Sequence, residues 1–105
     1  MAGWLAAMGR WRLERRMNRE AAKIAGEIYP ALWENVRRKI ASASETELTA
    51  YAKVRAAQLS QERIDARMQA DPALSGAYAT QLLIKATGLA TVQVLAEVNA
   101  RRSAA

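Results

Sequence analysis

The 105-residue chain contains no cysteine, no histidine and no phenylalanine, and it has only five glycines and two prolines. Without cysteine it cannot form a disulfide framework, a thiol nucleophile, a zinc ribbon or an iron–sulfur cluster. Without histidine it lacks the base of a Ser–His or Cys–His pair and the His ligands of zinc and di-iron helices. The glycines stand singly, so no glycine-rich phosphate loop is present. We therefore predict a non-enzymatic protein without a metal, cofactor or small-molecule substrate.

Alanine is abundant, with 24 copies, and leucine, arginine, glutamate, glutamine and methionine supply much of the remainder. These residues lose the least free energy on entering a helix. Hydrophobic residues make up 51% of the chain and charged residues 25%, which is typical of a folded globular domain. The composition predicts a single all-α domain over residues 1–105.

Capping and breaking residues divide the chain into a small bundle of about four helices. An aromatic and basic N-terminal segment at 1–12 continues into a helix over 13–28, and further helices are predicted over 30–41, 45–69 and 72–100. Pro30 must either kink a helix or start a new one, because proline lacks an amide hydrogen, and a new helix is expected from residue 30. Ser44 and Glu47 form a capping box, and Asp71 precedes a proline at the first helical position.

Within the 45–69 helix the apolar face changes side near Ser60. Leu48, Tyr51 and Leu59 lie on one side, whereas Ile64 and Met68 project about 160° away. Either the helix breaks at Ser60 or it runs straight and contacts different neighbours at its two ends. The straight helix is favoured, because Gln61 to Arg63 are good helix formers.

The 72–100 helix is apolar on nearly all sides, with Lys85 and Glu97 as the charged residues between Ala77 and Val98. It is long enough to span a bilayer, but a lysine at the bilayer centre costs about 2.5–3.5 kcal/mol. We therefore expect a central helix surrounded by the other helices.

A chain of this size has few elements with which to cover such a helix. The leading hypothesis is an assembly protein that packs into a homo-oligomer or a larger complex, and the alternative is a self-contained bundle. The candidate interface residues are Trp4, Trp11, Leu83, Leu95 and Val98.

The net charge of +6 is concentrated in residues 1–40, which carry nine basic and four acidic side chains and so a charge of +5. One helix face carries a basic stripe of five residues: Arg12, Arg15, Arg16, Arg19 and Lys23. Such a stripe is typical of a solvated helix face, and it is also suited to nucleic-acid phosphates or an anionic membrane surface. Peripheral binding to one of these surfaces is the alternative function.

The apolar run at Trp4–Met8 precedes Arg10, the reverse of a secretory signal, so the expected location is cytoplasmic with peripheral membrane association as a variant.

Overall fold

The computed structural model describes residues 2–74 and 76–104, and all three of its regular elements are helices. Helix α1 spans Ala2–Arg37, α2 spans Glu45–Ala70 and α3 spans Gly76–Ala104. The all-α class is confirmed, whereas the number of helices is three rather than four. Met1 of the predicted N-terminal segment and Ser75 of the predicted 72–100 helix lie outside the described residues.

The predicted boundary at Pro30 is wrong, because α1 continues through this proline to Arg37. A proline inside a helix costs about 3 kcal/mol. The buried face of α1 nevertheless continues across the proline at intervals of four residues: Ile28 before it and Leu32 and Val36 after it are all fully or almost fully buried. Burying one such side chain contributes about 1.5–3 kcal/mol, so the packing of two turns outweighs the lost backbone hydrogen bond. Pro30 itself is exposed, where its ring meets no neighbouring helix.

The two connections use the polar residues that the sequence singles out. Ser44 caps α2, and its side chain accepts a hydrogen bond of 3.2 Å from the amide of Glu47. Asp71 ends α2 instead of starting the next helix: its carboxylate accepts from the amide of Ala73 at 3.1 Å, within a turn. Helix α3 therefore begins at Gly76 rather than at Pro72.

The three helices form an up–down–up bundle. Arg67 on α2 pairs with Glu27 on α1 at 3.1 Å, and Arg55 donates to Asn35 at 2.9 Å, so α1 and α2 are antiparallel. Arg101, near the end of α3, stacks over Trp33 of α1. Tyr78, near the start of α3, is hydrogen bonded to Glu20 of α1. Helices α1 and α3 are therefore parallel.

A winding stripe of mostly small side chains connects α2 to the core. Its buried residues follow one another at intervals of four: Leu48, Ala52, Ala56, Ser60 and Ile64. Each step of four residues turns the stripe by about 40° around the helix axis, so Leu48 and Ile64 point in directions about 160° apart. The two apolar faces in the sequence are thus the ends of one continuous buried stripe, and α2 passes Ser60 without a break.

Helix α3 packs against both other helices on one side and faces solvent on the other, so it is not a central helix. Leu82, Ala86 and Val94 are buried, whereas Ile84 is 59% exposed and Val92 68% exposed. Three helices can cover only about half of each other's circumference, which leaves an outward face on each. By length and composition, α3 is the one described helix able to span a membrane.

The bundle is elongated, with extents of 56 × 30 × 19 Å. Its radius of gyration is 16.4 Å, compared with about 13 Å for a compact domain of this length. Its accessible surface is 7033 Å², whereas a compact monomer of 11.5 kDa exposes about 5,800 Å². The surplus surface comes from the outward faces and from the first turns of α1.

Candidate interaction surfaces

The first turns of α1 project beyond the bundle. Every residue from Gly3 to Arg16 is exposed, and Met17 is the first residue of α1 to enter the core. We call residues 3–16 the α1 projection. At a rise of 1.5 Å per residue it extends for about 20 Å. It lies beside the turn between α2 and α3, because α1 and α3 are parallel.

Large apolar side chains lie along one line of the α1 projection. Trp4, Met8 and Trp11 follow one another at intervals of four and three residues, which places them within about 60° of one another. Trp4 is 68% exposed and Trp11 is 54% exposed. The guanidinium of Arg15 continues the line and stacks over the Trp11 ring at 4.7 Å from its centroid. The projection thus carries an exposed aromatic line that ends in a cation.

The predicted basic stripe lies next to this aromatic line. All five of its residues are exposed. Arg16 pairs with Glu20 at 3.0 Å, and hydrogen bonding to that carboxylate raises the pKa of Arg16 above its ordinary value. Among the described residues no ion pair involves the other four: Arg12, Arg15, Arg19 and Lys23. The structure therefore presents four exposed cations that form no ion pair with a carboxylate of the described chain.

The outward face of α3 carries a second surface with a seven-residue repeat. Six residues follow at alternating intervals of four and three, within an arc of about 80°. We call them the α3 seam: Ala77, Gln81, Ile84, Gly88, Thr91 and Leu95. The first four are exposed, and Thr91 and Leu95 are half-buried. A Cβ atom added at Gly88 would meet no atom within 4 Å.

A shallow groove of about 510 Å³ joins the α3 seam to α2. Its walls come from both helices: Lys53, Ala57, Leu83, Ile84, Thr87, Gly88 and Thr91. Small side chains make up much of the lining: Ala57, Gly88 and two threonines. The outward face of α3 is therefore an apolar strip with a cation, Lys53 or Lys85, near each edge.

The structure places the five predicted interface residues in three different environments. Trp4 and Trp11 are exposed on the α1 projection, and Leu83 and Leu95 are half-buried against the core on α3. Val98 is 1% exposed and belongs to the core, so its side chain cannot contact a partner. Its inclusion is wrong because α3 is buried on the side that carries Val98. Sequence reasoning missed two large apolar side chains that are exposed on this face, Ile84 and Val92. The seven-residue spacing around Ile84 was the available signal.

A further group that the sequence did not reveal lies where the α1 projection leaves the bundle. A cavity of about 470 Å³ is lined there by Leu13, Arg16, Met17, Asp71, Ala73, Leu74, Ala77, Tyr78 and Gln81. Burial and a hydrogen bond with Glu20 raise the pKa of Tyr78 above its usual value of 10.0. The cluster of Arg16, Glu20 and Tyr78 connects the helices, which gives it a structural role.

No group of three or more acidic side chains in the described part of the chain is arranged to hold a metal ion. Comparisons with protein-family models, with curated proteins and with solved structures find no significant match to the chain.

Proposed function

We propose that this chain is a non-enzymatic assembly protein that associates with a second copy of itself through the α3 seam. The observation that carries the proposal is the outward apolar face of α3, on which Ile84 is 59% exposed beside a glycine. A seven-residue repeat of this kind keeps one seam facing a partner helix over several turns. The seam extends for about 27 Å, the length of five helical turns.

The order of large and small residues in the α3 seam favours an antiparallel pair. If two copies of α3 are related by a twofold axis near residue 86, Ile84 lies opposite the partner's Gly88. Leu95 then lies opposite the partner's Ala77. Each large side chain thus meets a small one, which allows the close interdigitation of a packed interface. A parallel pair would instead place Ile84 against its own counterpart and Gly88 against another glycine, leaving uneven gaps.

The polar positions of the seam are also complementary in this antiparallel register. Gln81 lies opposite the partner's Thr91, and an amide and a hydroxyl can exchange a hydrogen bond. Because these residues stand near the two ends of the interface, they are expected to set its register rather than its affinity. The same contact occurs twice, as a twofold axis requires.

The amount of available surface is consistent with a dimer of modest affinity. The chain exposes about 1,200 Å² more than a compact monomer of its mass, and the α1 projection supplies part of this surplus. The α3 seam therefore offers less than this area, whereas a standard interface buries about 800 Å² of each partner. The large exposed apolar residues on and beside the seam are Ile84 and Val92. Because these side chains are already partly buried in the single chain, dimer formation removes only part of their apolar surface from water. Association also costs translational and rotational entropy. We therefore expect dissociation constants in the micromolar range or weaker.

Sedimentation equilibrium of the wild-type chain and of Gly88→Leu tests this proposal. A Cβ atom at position 88 would meet no atom within 4 Å in the single chain, whereas a leucine side chain there would collide with the partner's Ile84. The variant should therefore remain monomeric with unchanged helix content. Gly26→Leu is the matched control, because Gly26 is also an exposed helical glycine with open space around it. This control should associate like the wild type.

A second measurement tests the orientation. Because the chain has no cysteine, introduced cysteines are unique. An antiparallel dimer predicts a disulfide between Gln81→Cys and Thr91→Cys chains when the two are mixed. A parallel dimer predicts that Gln81→Cys links to itself. A wild-type mass of one chain at all concentrations, or equal association of Gly88→Leu and Gly26→Leu, would overturn the proposal.

A further inference from the structure

The geometry points to a second interaction surface: the α1 projection is a docking element for an anionic lipid bilayer. Its aromatic line inserts at the level of the lipid headgroups, and the basic stripe contacts their phosphates. This inference goes beyond self-association and involves different residues. It is carried by two observations together: the exposure of the aromatic line, and the exposed cations beside it that form no ion pair among the described residues.

The apolar side chains of the α1 projection lie outside the core of the bundle. Trp4, Leu5, Met8 and Trp11 are all exposed on a helix that has left its own bundle. In water such a segment gains no packing energy from its apolar face, and a helix of this length is marginal without packing. Indole rings partition to the bilayer interface, where the ring contacts hydrocarbon and the N–H remains hydrated.

Three cations of the basic stripe flank the aromatic line. Arg12, Arg19 and Lys23 are turned by about 50–90° from the centre of that line. When the helix lies on a membrane with the tryptophans downward, these three side chains point sideways into the headgroup layer. Arg15 stacks on Trp11 and remains at the same level. The basic side chains can therefore contact lipid phosphates while the tryptophan rings stay in contact with the hydrocarbon.

A flat surface can reach this face of α1. Along the helix the aromatic line continues as Ala22 and Gly26, which are exposed and small. The core residues Ala21, Ile24 and Ile28 lie on other sides of the helix. A bilayer can thus approach the projection without meeting α2 or α3.

These features favour lipid over a nucleic-acid duplex. Phosphates of DNA or RNA are bound by the basic side chains alone and gain little from Leu5 and Met8. A bilayer uses both sets of residues, since apolar area and attraction to anionic lipids add together. A basic stripe without the aromatic line would not distinguish these two partners.

Co-sedimentation with vesicles tests the inference on the full-length chain. We expect binding to phosphatidylcholine vesicles that contain about 30 mol% phosphatidylserine, and little binding to phosphatidylcholine alone. High salt should weaken the binding, because it screens exposed charges. Tryptophan fluorescence should be quenched by brominated acyl chains, and this quenching should be lost in Trp4→Ala/Trp11→Ala.

Variants separate the two contributions. Removing three cations in Arg12→Gln/Arg15→Gln/Arg19→Gln should weaken partitioning onto the anionic vesicles by about a hundredfold. The matched control, Arg37→Gln/Arg38→Gln/Arg102→Gln, loses the same charge from exposed sites elsewhere and should bind within a few-fold of the wild type. Gly88→Leu controls for a contribution from dimer formation, since it leaves the projection intact.

Three outcomes would overturn the inference. The first is no sedimentation with anionic vesicles at low salt. The second is equal weakening by the stripe variant and its charge-matched control, which would mean that only net charge matters. The third is tighter binding to duplex DNA than to vesicles, with no effect of the tryptophan substitutions, which would assign the stripe to nucleic acid.

Discussion

The guanidinium of Arg101 lies 4.8 Å from the centroid of the Trp33 ring, and this contact joins the last turns of α3 to α1. The same arginine pairs with Glu97 at 2.9 Å, so its side chain is held from two directions. Trp33 is half-buried against the core, unlike Trp4 and Trp11. Two of the three tryptophans therefore face solvent, and the third stabilises the bundle.

The contact between Arg101 and Trp33 should be measurable as a coupling energy. In a double-mutant cycle of Trp33→Leu and Arg101→Gln, urea unfolding should give a coupling of about 0.5–1 kcal/mol. The cycle with Arg102→Gln in place of Arg101→Gln should give no coupling, because Arg102 points to the Ile40 carbonyl instead. Equal values in both cycles would show that the stacking contributes nothing specific.

Replacing Pro30 by alanine should stabilise the protein. The substitution restores a backbone amide in the middle of α1, at an exposed position where no packing is lost. We expect the free energy of unfolding to rise by about 1–3 kcal/mol in urea denaturation. Pro72→Ala, in the turn between α2 and α3, serves as the control and should give no such gain. A loss of stability in Pro30→Ala would argue against a continuous α1.

Replacing Ser60 by alanine should also stabilise the fold. The Ser60 hydroxyl is completely buried, and it has no hydrogen-bond partner among the described residues. Removing such a group relieves a desolvation cost and improves helix propensity, by about 1–2 kcal/mol in total. Thermal unfolding should shift upward by about 4 °C or more. The control Thr49→Ala removes an exposed hydroxyl that is bonded to the Glu45 carbonyl, and its effect should be small.

Glu34 should titrate at unusually low pH. Hydrogen bonds from Arg37 and then Arg38 lower the pKa of its carboxyl from 4.5 to about 2. Since this folded-state pKa lies below the unfolded value, the stabilising contribution is complete above pH 4.5 and is lost as the pH falls from 4.5 to about 2. A carbon-detected NMR titration should give the low midpoint, and Arg37→Gln should move it upward. A wild-type midpoint near 4.5 would contradict the geometry of this pair.

Salt should act in opposite directions on the two proposed surfaces. In the antiparallel dimer Lys85 lies close to the partner's Lys85, and both chains carry a net charge of +6. Lys85→Gln should therefore tighten self-association by about twofold, and added salt should tighten that of the wild type. Lys23→Gln removes the same charge far from the α3 seam and serves as the control. Vesicle binding, by contrast, should weaken with salt. Dimer formation that weakens with salt would contradict the register.

The amino-acid sequence by itself determined the helical class, the Ser44 cap and the basic stripe. Each of these depends on local chemistry: helix propensity, a hydroxyl near a free amide, and charges at helical spacing. The prediction that Asp71 caps the start of a helix was wrong. Its carboxylate can accept a hydrogen bond from an amide within a turn as well as from an amide at the start of a helix.

Tertiary structure alone decided the remaining features, because they depend on how much surface neighbouring helices cover. Burial of Ile28, Leu32 and Val36 carries α1 through a proline that local propensity would place at a boundary. Packing of one side of α3 separates Val98, inside the core, from Ile84, on the outside, although both are apolar residues of one helix. The length of α1 relative to its neighbours leaves Trp4 and Trp11 in solvent. None of these outcomes is encoded in a residue's own preference, since each is set by where the other two helices begin and end.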